Sequence, residues 1–158
     1  MALGIGQVWR IVLTNRTWAI ERGTALDRDA ALEVREQLYC NELGYRWESR
    51  EDRFDAGATI AVIRTQDGRV IGSIRIVGPE ARPFEIEKYI PIGDILPQDS
   101  RPAEVNRYCV VPAFRGIANS VHFAAFSFAI ERAQLEQFSH FVIATKPALE
   151  PIYRDLLF

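Results

Sequence analysis

Two β-rich runs dominate the middle of the chain. Residues 58–64 and 69–77 are built mostly from Ile, Val, Ala and Thr, and Thr65, Gln66, Asp67 and Gly68 join them. Such runs around an Asp-Gly pair predict an antiparallel hairpin, because that dipeptide accepts the positive φ of a tight turn. Elsewhere the spacing becomes helical. Ala31, Val34, Leu38 and Leu43 predict a helix from a cap at Asp27 or Asp29 to about Leu43, with Gly44 breaking the pattern. Val121, Phe123, Ala124, Phe128, Ala129 and Leu135 predict a second helix over about 119–137 with a wide apolar face. Residues 17–21, 104–110 and 140–145 read as strands, 84–89 as a short helix within the proline-rich stretch 78–101, and 149–157 as a final helix.

This order is mixed α and β, without repeats or linkers, and predicts one continuous domain over residues 1–158 in which 1–15 belong to no clear element. At 158 residues the chain can bury one substantial core. A net charge of −2, from 19 basic and 21 acidic residues, gives no global field for nucleic acid or anionic membrane, so an electrostatic partner must meet a local patch. Cys40 and Cys109 fit neither a disulfide framework nor a zinc spacing, which leaves a reduced thiol pair and no metal site. The apolar N-terminus is interrupted by Arg10 and has no basic leader, and no run reaches the ~18 apolar residues of a membrane span. The expected location is the cytoplasm.

Candidate chemistry concentrates between Glu104 and Ser120. A strand carrying Glu104 and Arg107 leads through Pro112 and Arg115 to Gly116, Ala118, Asn119 and Ser120 at the start of a helix. Free backbone N–H groups at a helix start suit a phosphate, here beside an ionisable pair. Glu104 is the candidate general base, provided burial raises its pKa; a neighbouring Arg107 would oppose that. The alternative is a Glu104–Arg107 pair that only shapes the pocket. Positions three apart on a regular strand face opposite sides, so that pair requires a bulge. Val110 and Val111 offer backbone N–H groups for a developing oxyanion, with Pro112 ending the ladder. Arg75 sits mid-strand, where an unpaired charge is costly, and calls for Asp52, Asp55 or Glu104 as partner. Cys109 with His122 is a covalent alternative.

The ordered set Arg35, Trp47, Asp52 and Asp55, Gly72 with Arg75, and Glu104 with Arg107 resembles the GNAT-type N-acyltransferase superfamily, and within it the N-acyl amino acid synthases and acyl-homoserine-lactone synthases. The resemblance spans about 16–158. It implies an α/β (α+β) fold with a mixed, mostly antiparallel central sheet flanked by helices. The family's last two strands are missing from the pattern, which leaves an edge for another chain, such as a second copy in a homodimer, to fill.

The resemblance further implies direct transfer of a fatty acyl group to the amine of an amino acid or related small amine. The donor is the acyl-phosphopantetheine of acyl carrier protein, or acyl-CoA, with no tightly bound cofactor. Catalysis then falls to Glu104, Arg107 and Val110, and donor phosphate binding to Val111, Arg115, Gly116, Ala118, Asn119 and Ser120. Arg35, Trp47, Asp52, Asp55 and Arg75 order the acceptor side, and Phe123 with Phe126, Phe128 and Phe141 lines an acyl tunnel or, on the plainer reading, packs as core. Asn106 stands where the family has Ser, and Ala118 and Ser120 crowd a loop in which glycines let backbone approach a pyrophosphate, which favours the carrier protein over coenzyme A. Three alternatives remain: an acyl-homoserine-lactone synthase using S-adenosylmethionine, a small-acyl acetyltransferase dependent on coenzyme A, and a catalytically inactive acyl-carrier-binding or truncated module.

Overall fold

The computed structural model describes residues 18–47, 49–115 and 119–157, the last stretch with backbone only at Asn119, Ser120, Ile152 and residues 155–157. Among the described residues, five strands form one sheet in chain order: β1 Trp18–Arg22, β2 Thr59–Thr65, β3 Val70–Val77, β4 Pro102–Val110 and β5 His140–Val142. Strands β1 to β4 are antiparallel neighbours, and β5 joins β4 in parallel. The predicted hairpin is present, with Gly68 at φ 88° closing its turn.

Alternation along β2 shows how both faces are covered. Ile60 and Val62 pack with Ala31 of α1 (Ala25–Glu36), whereas Ala61 and Ile63 point to the opposite face, toward α2 (Asn119–Glu136) through Ala125 and Val121. On β3, Ile74 and Ile76 join the α2 face. Ser73, Arg75 and Val77 are left for the other face, so the α1 side of the sheet carries polar groups among its apolar ones.

The first helix begins one turn before the expected cap. Thr24 is the N-cap, and its N–H and hydroxyl both donate to Asp27 at 2.8 Å; Asp27 is the third helical residue, reaching back, rather than the cap itself. Past Glu36 the helix widens into a π turn, Gln37–Glu42, in which Leu43 N–H reaches Leu38 O at 3.1 Å. That wider turn carries Tyr39 over β4, where its hydroxyl donates to Tyr108 O at 2.9 Å. The expected helix over 84–89 shrinks to a single 3-10 turn, Ile86–Lys88, and the final helix α3 spans Glu150–Leu157. None of the described helices is long and apolar enough to cross a membrane.

Two irregularities open the sheet. In β4, Ser73 faces Cys109 and Arg75 faces Asn106, so Arg107 and Tyr108 share the space opposite Ile74: a bulge, with Arg107 in the left-handed region at φ 52°. The second is the length of β5. Its predicted span of 140–145 stops at Val142, because the strand pairs only with residues 102–104 and then diverges from β4. The resulting splay exposes the second half of β4 along one edge.

Gly72 shows how closely β4 lies on β3. A Cβ there would sit 2.5 Å from Cys109 O and 2.9 Å from Ile63 Cδ1, closer than packed atoms approach. Gly72→Ala is expected to destabilise the protein by about 1–3 kcal/mol in urea unfolding. Gly57→Ala, with open space around its new methyl, should stay within about 0.5 kcal/mol of the parent.

Candidate active site

The polar face of β3 and β4 holds a connected set of charges. Arg75 is fully buried, and its Nη1 donates to Asp52 at 2.6 Å and to Asp55 at 2.9 Å while its Nε donates to Asn106 at 2.8 Å. Arg35, on the buried face of α1, donates to the same Asp55 oxygen at 2.9 Å and to Ser73 Oγ at 3.1 Å. The turn between Asp52 and Asp55 aims both carboxylates by capping itself: Asp52 N–H donates to Asp55 Oδ2 and Phe54 N–H to Asp52 Oδ1. Arg75 therefore has the aspartate partners its mid-strand position demanded. Arg35 and Asp55 lie inside the protein rather than at a cavity wall.

Glu104 and Arg107 do not pair. The bulge turns Arg107 to the same side as Glu104, but other groups take both. The Glu104 carboxylate accepts the backbone N–H groups of Glu85 and Ile86 at 3.1 and 3.0 Å, which fixes the connection after β3 onto β4. Arg107 instead donates to Glu85 at 2.8 Å and Asp52 at 3.2 Å, with its guanidinium 5.3 Å from the centre of the Trp47 ring. Burial pushes the Glu104 carboxyl up, outweighing the two N–H donors that pull it down. Asp52 moves the opposite way: burial would raise it, but the hydrogen bond and charge of Arg75 lower it to about 2.

Two adjoining cavities flank the splay. The smaller, about 300 Å³, has Trp47, Glu85, Glu104, Asn106 and Arg107 in its wall. The larger, about 610 Å³, runs along Cys109 and Val110 to Arg115 and Lys146. Tyr39, Tyr45, Tyr108, Phe126 and Tyr153 line both. Val111 N–H donates to Ile71 O at 2.8 Å, and antiparallel alternation therefore turns the Val110 N–H away from β3 and into the splay. Of the two expected N–H donors, Val110 faces the cavity and Val111 is spent on the ladder.

Arg115 stands at the mouth of the larger cavity, donating to Val110 O at 2.7 Å and through Nη2 to Glu42 at 2.8 Å. Gly116 and Ala118 lie outside the described residues, as do the side chains of Asn119 and Ser120. Phe123 is 55% exposed and lines neither cavity, because the inward face of α2 runs through Val121, Ala125, Phe126 and Ala129; Phe126 is the α2 phenylalanine that lines both. Phe128 and Phe141 pack against the core. The covalent alternative loses its chemistry: burial pushes the Cys109 thiol up and keeps it protonated, its sulfur lies 3.6 Å from Ser73 Oγ, and His122 packs at a tilt against Tyr108, 5.2 Å between ring centres.

Sequence reasoning missed Glu85 and the four tyrosines. The signal for Glu85 was present: Arg35, Arg75 and Arg107 on one region need more counter-charge than Asp52 and Asp55 supply. Nothing local marks Tyr39, Tyr45, Tyr108 or Tyr153, which converge from three segments, the π turn and its exit, β4 and α3. Tyr153 rests edge-on against Phe126 at 5.3 Å, and burial pushes its phenol up, so it stays protonated at neutral pH.

A model of the acetyltransferase (GNAT) domain matches residues 34–124, more than half of the chain. Among solved structures, FeeM, an N-acyl amino acid synthase from uncultured soil microbes, superposes with a TM-score of 0.73 at 16% identity, over 86% of this chain and 75% of that one. Glucosamine-6-phosphate N-acetyltransferase from Arabidopsis thaliana gives 0.63 at 13% identity, over 90% and 92%. TofI, solved in a ternary complex with an inhibitor and MTA, gives 0.64 at 18%, over 89% and 78%. These likenesses establish the fold, a mixed and mostly antiparallel open sheet flanked by helices. A search of curated protein sequences finds no match.

Removing Asp55 leaves the buried Arg35 guanidinium without its carboxylate and takes one of the two aspartates from Arg75. Asp55→Ala should cost about 3–5 kcal/mol in urea unfolding. Asp52 gives a pH signature: its carboxyl is depressed in the fold, so its stabilisation is complete above its ordinary value of 3.8 and is lost as pH falls toward about 2. Thermal unfolding of Asp52→Asn across pH 5 to 2 should therefore fall less steeply than that of the parent.

Proposed function

Because the chain belongs to the acetyltransferase (GNAT) domain family, we propose that it is an N-acyltransferase that moves a fatty acyl group from acyl carrier protein, or from acyl-CoA, to a small amine. The observation that carries this reading is the splay between β4 and β5, which presents the Val110 N–H to a long cavity beside a second, charged one. The larger cavity receives the thioester arm and the smaller one the acceptor. Two substrates thereby meet at the five shared aromatic residues.

The chemistry follows from which groups stand there. The Val110 N–H donates to the thioester oxygen as negative charge grows on it, a contact strengthened by the apolar surroundings. The amine nitrogen bonds to the acyl carbon, and the carbon–sulfur bond breaks. The proton lost by nitrogen passes through water to Glu104, whose raised pKa makes it a better base than an ordinary glutamate. The leaving thiolate takes a proton from the Tyr153 hydroxyl, and exchange with solvent resets both groups. Arg107 holds Glu85 and Asp52 in place, and Arg115 supplies positive charge at the mouth, where the donor's phosphate would lie.

Support for the carrier protein over coenzyme A comes from the sequence of the turn, where Ala118 and Ser120 replace glycines, and from Arg115 already being engaged by Glu42. Medium- or long-chain acyl carrier protein, incubated with a panel of amines and amino acids, should give an N-acyl product by mass spectrometry, at higher kcat/KM than the matching acyl-CoA. Tyr153→Phe and Glu104→Gln should each lower kcat by about 100-fold with little change in donor KM. Absence of product across all donors and acceptors would sink the enzyme reading; product only with S-adenosylmethionine would redirect it to lactone synthesis.

A further inference from the structure

Acyl transfer by this site leaves the class of acceptor open between amino acids and simple amines, and the charges of the smaller cavity distinguish them. Three acidic or basic side chains stand in its wall, Glu85, Glu104 and Arg107, among several tyrosines. Arg107, the one cation lining it among the described residues, already donates to two carboxylates, Glu85 and Asp52, and lies over the Trp47 ring. Behind the wall, Arg75 is fully buried and divided among Asp52, Asp55 and Glu85. The whole set opposes Arg35, Arg75 and Arg107 with Asp52, Asp55, Glu85 and Glu104, so the carboxylates outnumber the guanidinium groups. Lys146 belongs to the larger cavity and not to this one.

An α-amino acid brings its carboxylate within two bonds of the nitrogen that must react. With that nitrogen beside Glu104, the substrate carboxylate would lie close to Glu85 as well, and would have to displace one of the two partners of Arg107 to find a cation. A primary amine without a carboxylate meets no such conflict. Its ammonium form is attracted by Glu85, whose side chain keeps 30% of its surface exposed, and by the ring of Tyr89, while Arg107 and Lys146 already lie over Trp47 and Tyr45. We propose that the smaller cavity selects an alkyl- or arylalkylamine lacking a carboxylate, and that Glu85 is the residue that sets this preference. The inference rests on the acyltransferase reading of the same site and names its acceptor.

Matched pairs test it: phenethylamine against phenylalanine, tyramine against tyrosine, and cadaverine against lysine. With one acyl donor, kcat/KM for the amine should exceed that for its amino acid by about tenfold or more in each pair. Calorimetric titration without donor should give the same order of affinity. Glu85→Gln, which loosens Arg107 for a substrate carboxylate, should reduce the amine-to-amino-acid ratio by about tenfold, and Glu85→Asp should restore much of it. A purely structural glutamate would lower both substrates together and leave the ratio unchanged. Equal or better use of the amino acids by the parent protein, no binding of either class, or an unaltered ratio in a folded Glu85→Gln protein would overturn the proposal. If Glu85→Gln fails to fold, the ratios of the parent protein decide. Preferential binding of amines with no turnover of any acceptor would uphold the selectivity and overturn the acyltransferase reading instead.

Discussion

Asp55 accepts hydrogen bonds from two buried arginines at the same oxygen, each at 2.9 Å, and much of the molecule is arranged around that contact. One guanidinium belongs to α1 and the other to β3, so the aspartate fastens helix to sheet from a turn that otherwise lies between them in the chain. Buried charges of this kind stabilise only when every member is matched, because taking a guanidinium out of water costs several kcal/mol. Asp52 and Glu85 add counter-charge and carry the set outward to Arg107, where interior becomes cavity wall. A structural anchor and a substrate-facing surface are thus one continuous ionic chain.

The bulge in β4 allows that chain to reach the surface. A regular strand would place Arg107 on the face packed by α2, among Ala125, Phe126 and Ala129, where its charge would find no partner. Inserting one residue keeps Asn106 and Arg107 on the charged side, returns Tyr108 to the apolar side, and sets the phase in which Val110 offers its N–H to the splay. Tyr39, reaching from the π turn to Tyr108 O, braces the bulge from above. Two local departures from ideal geometry, one in a helix and one in a strand, therefore meet at the site and support each other.

Several features of fold and site were legible along the chain for stated reasons. Hydrophobic alternation and the Asp67–Gly68 turn located the hairpin, because β periodicity and turn chemistry act over a few residues. The cost of an unpaired mid-strand charge demands a carboxylate for Arg75 among Asp52, Asp55 and Glu104, and the first two are the ones it meets. Phe123 went the other way: helical spacing alone gave a ring near the inward stripe, and only the rotation of α2 against the sheet showed that Phe126 is the inward one. The cap of α1 lies at Thr24, three residues before the nearer of the expected Asp27 and Asp29, because Thr24 and Asp27 form a reciprocal pair and either can be taken for the cap when read alone.

What the sequence determines by itself is the set of local elements, their order, and the requirement that the mid-strand Arg75 find a carboxylate, since propensity, periodicity and desolvation cost are properties of short stretches and of single side chains. Tertiary structure alone decides which carboxylate meets which guanidinium. Glu104 turns to backbone N–H groups and Arg107 to Glu85 because the connection after β3 folds onto β4 and brings those groups within hydrogen-bond reach. The joining of four tyrosines from three segments into one lining, and the parting of β5 from β4 that makes room between them, depend on contacts between residues distant in sequence. No local rule encodes those distances.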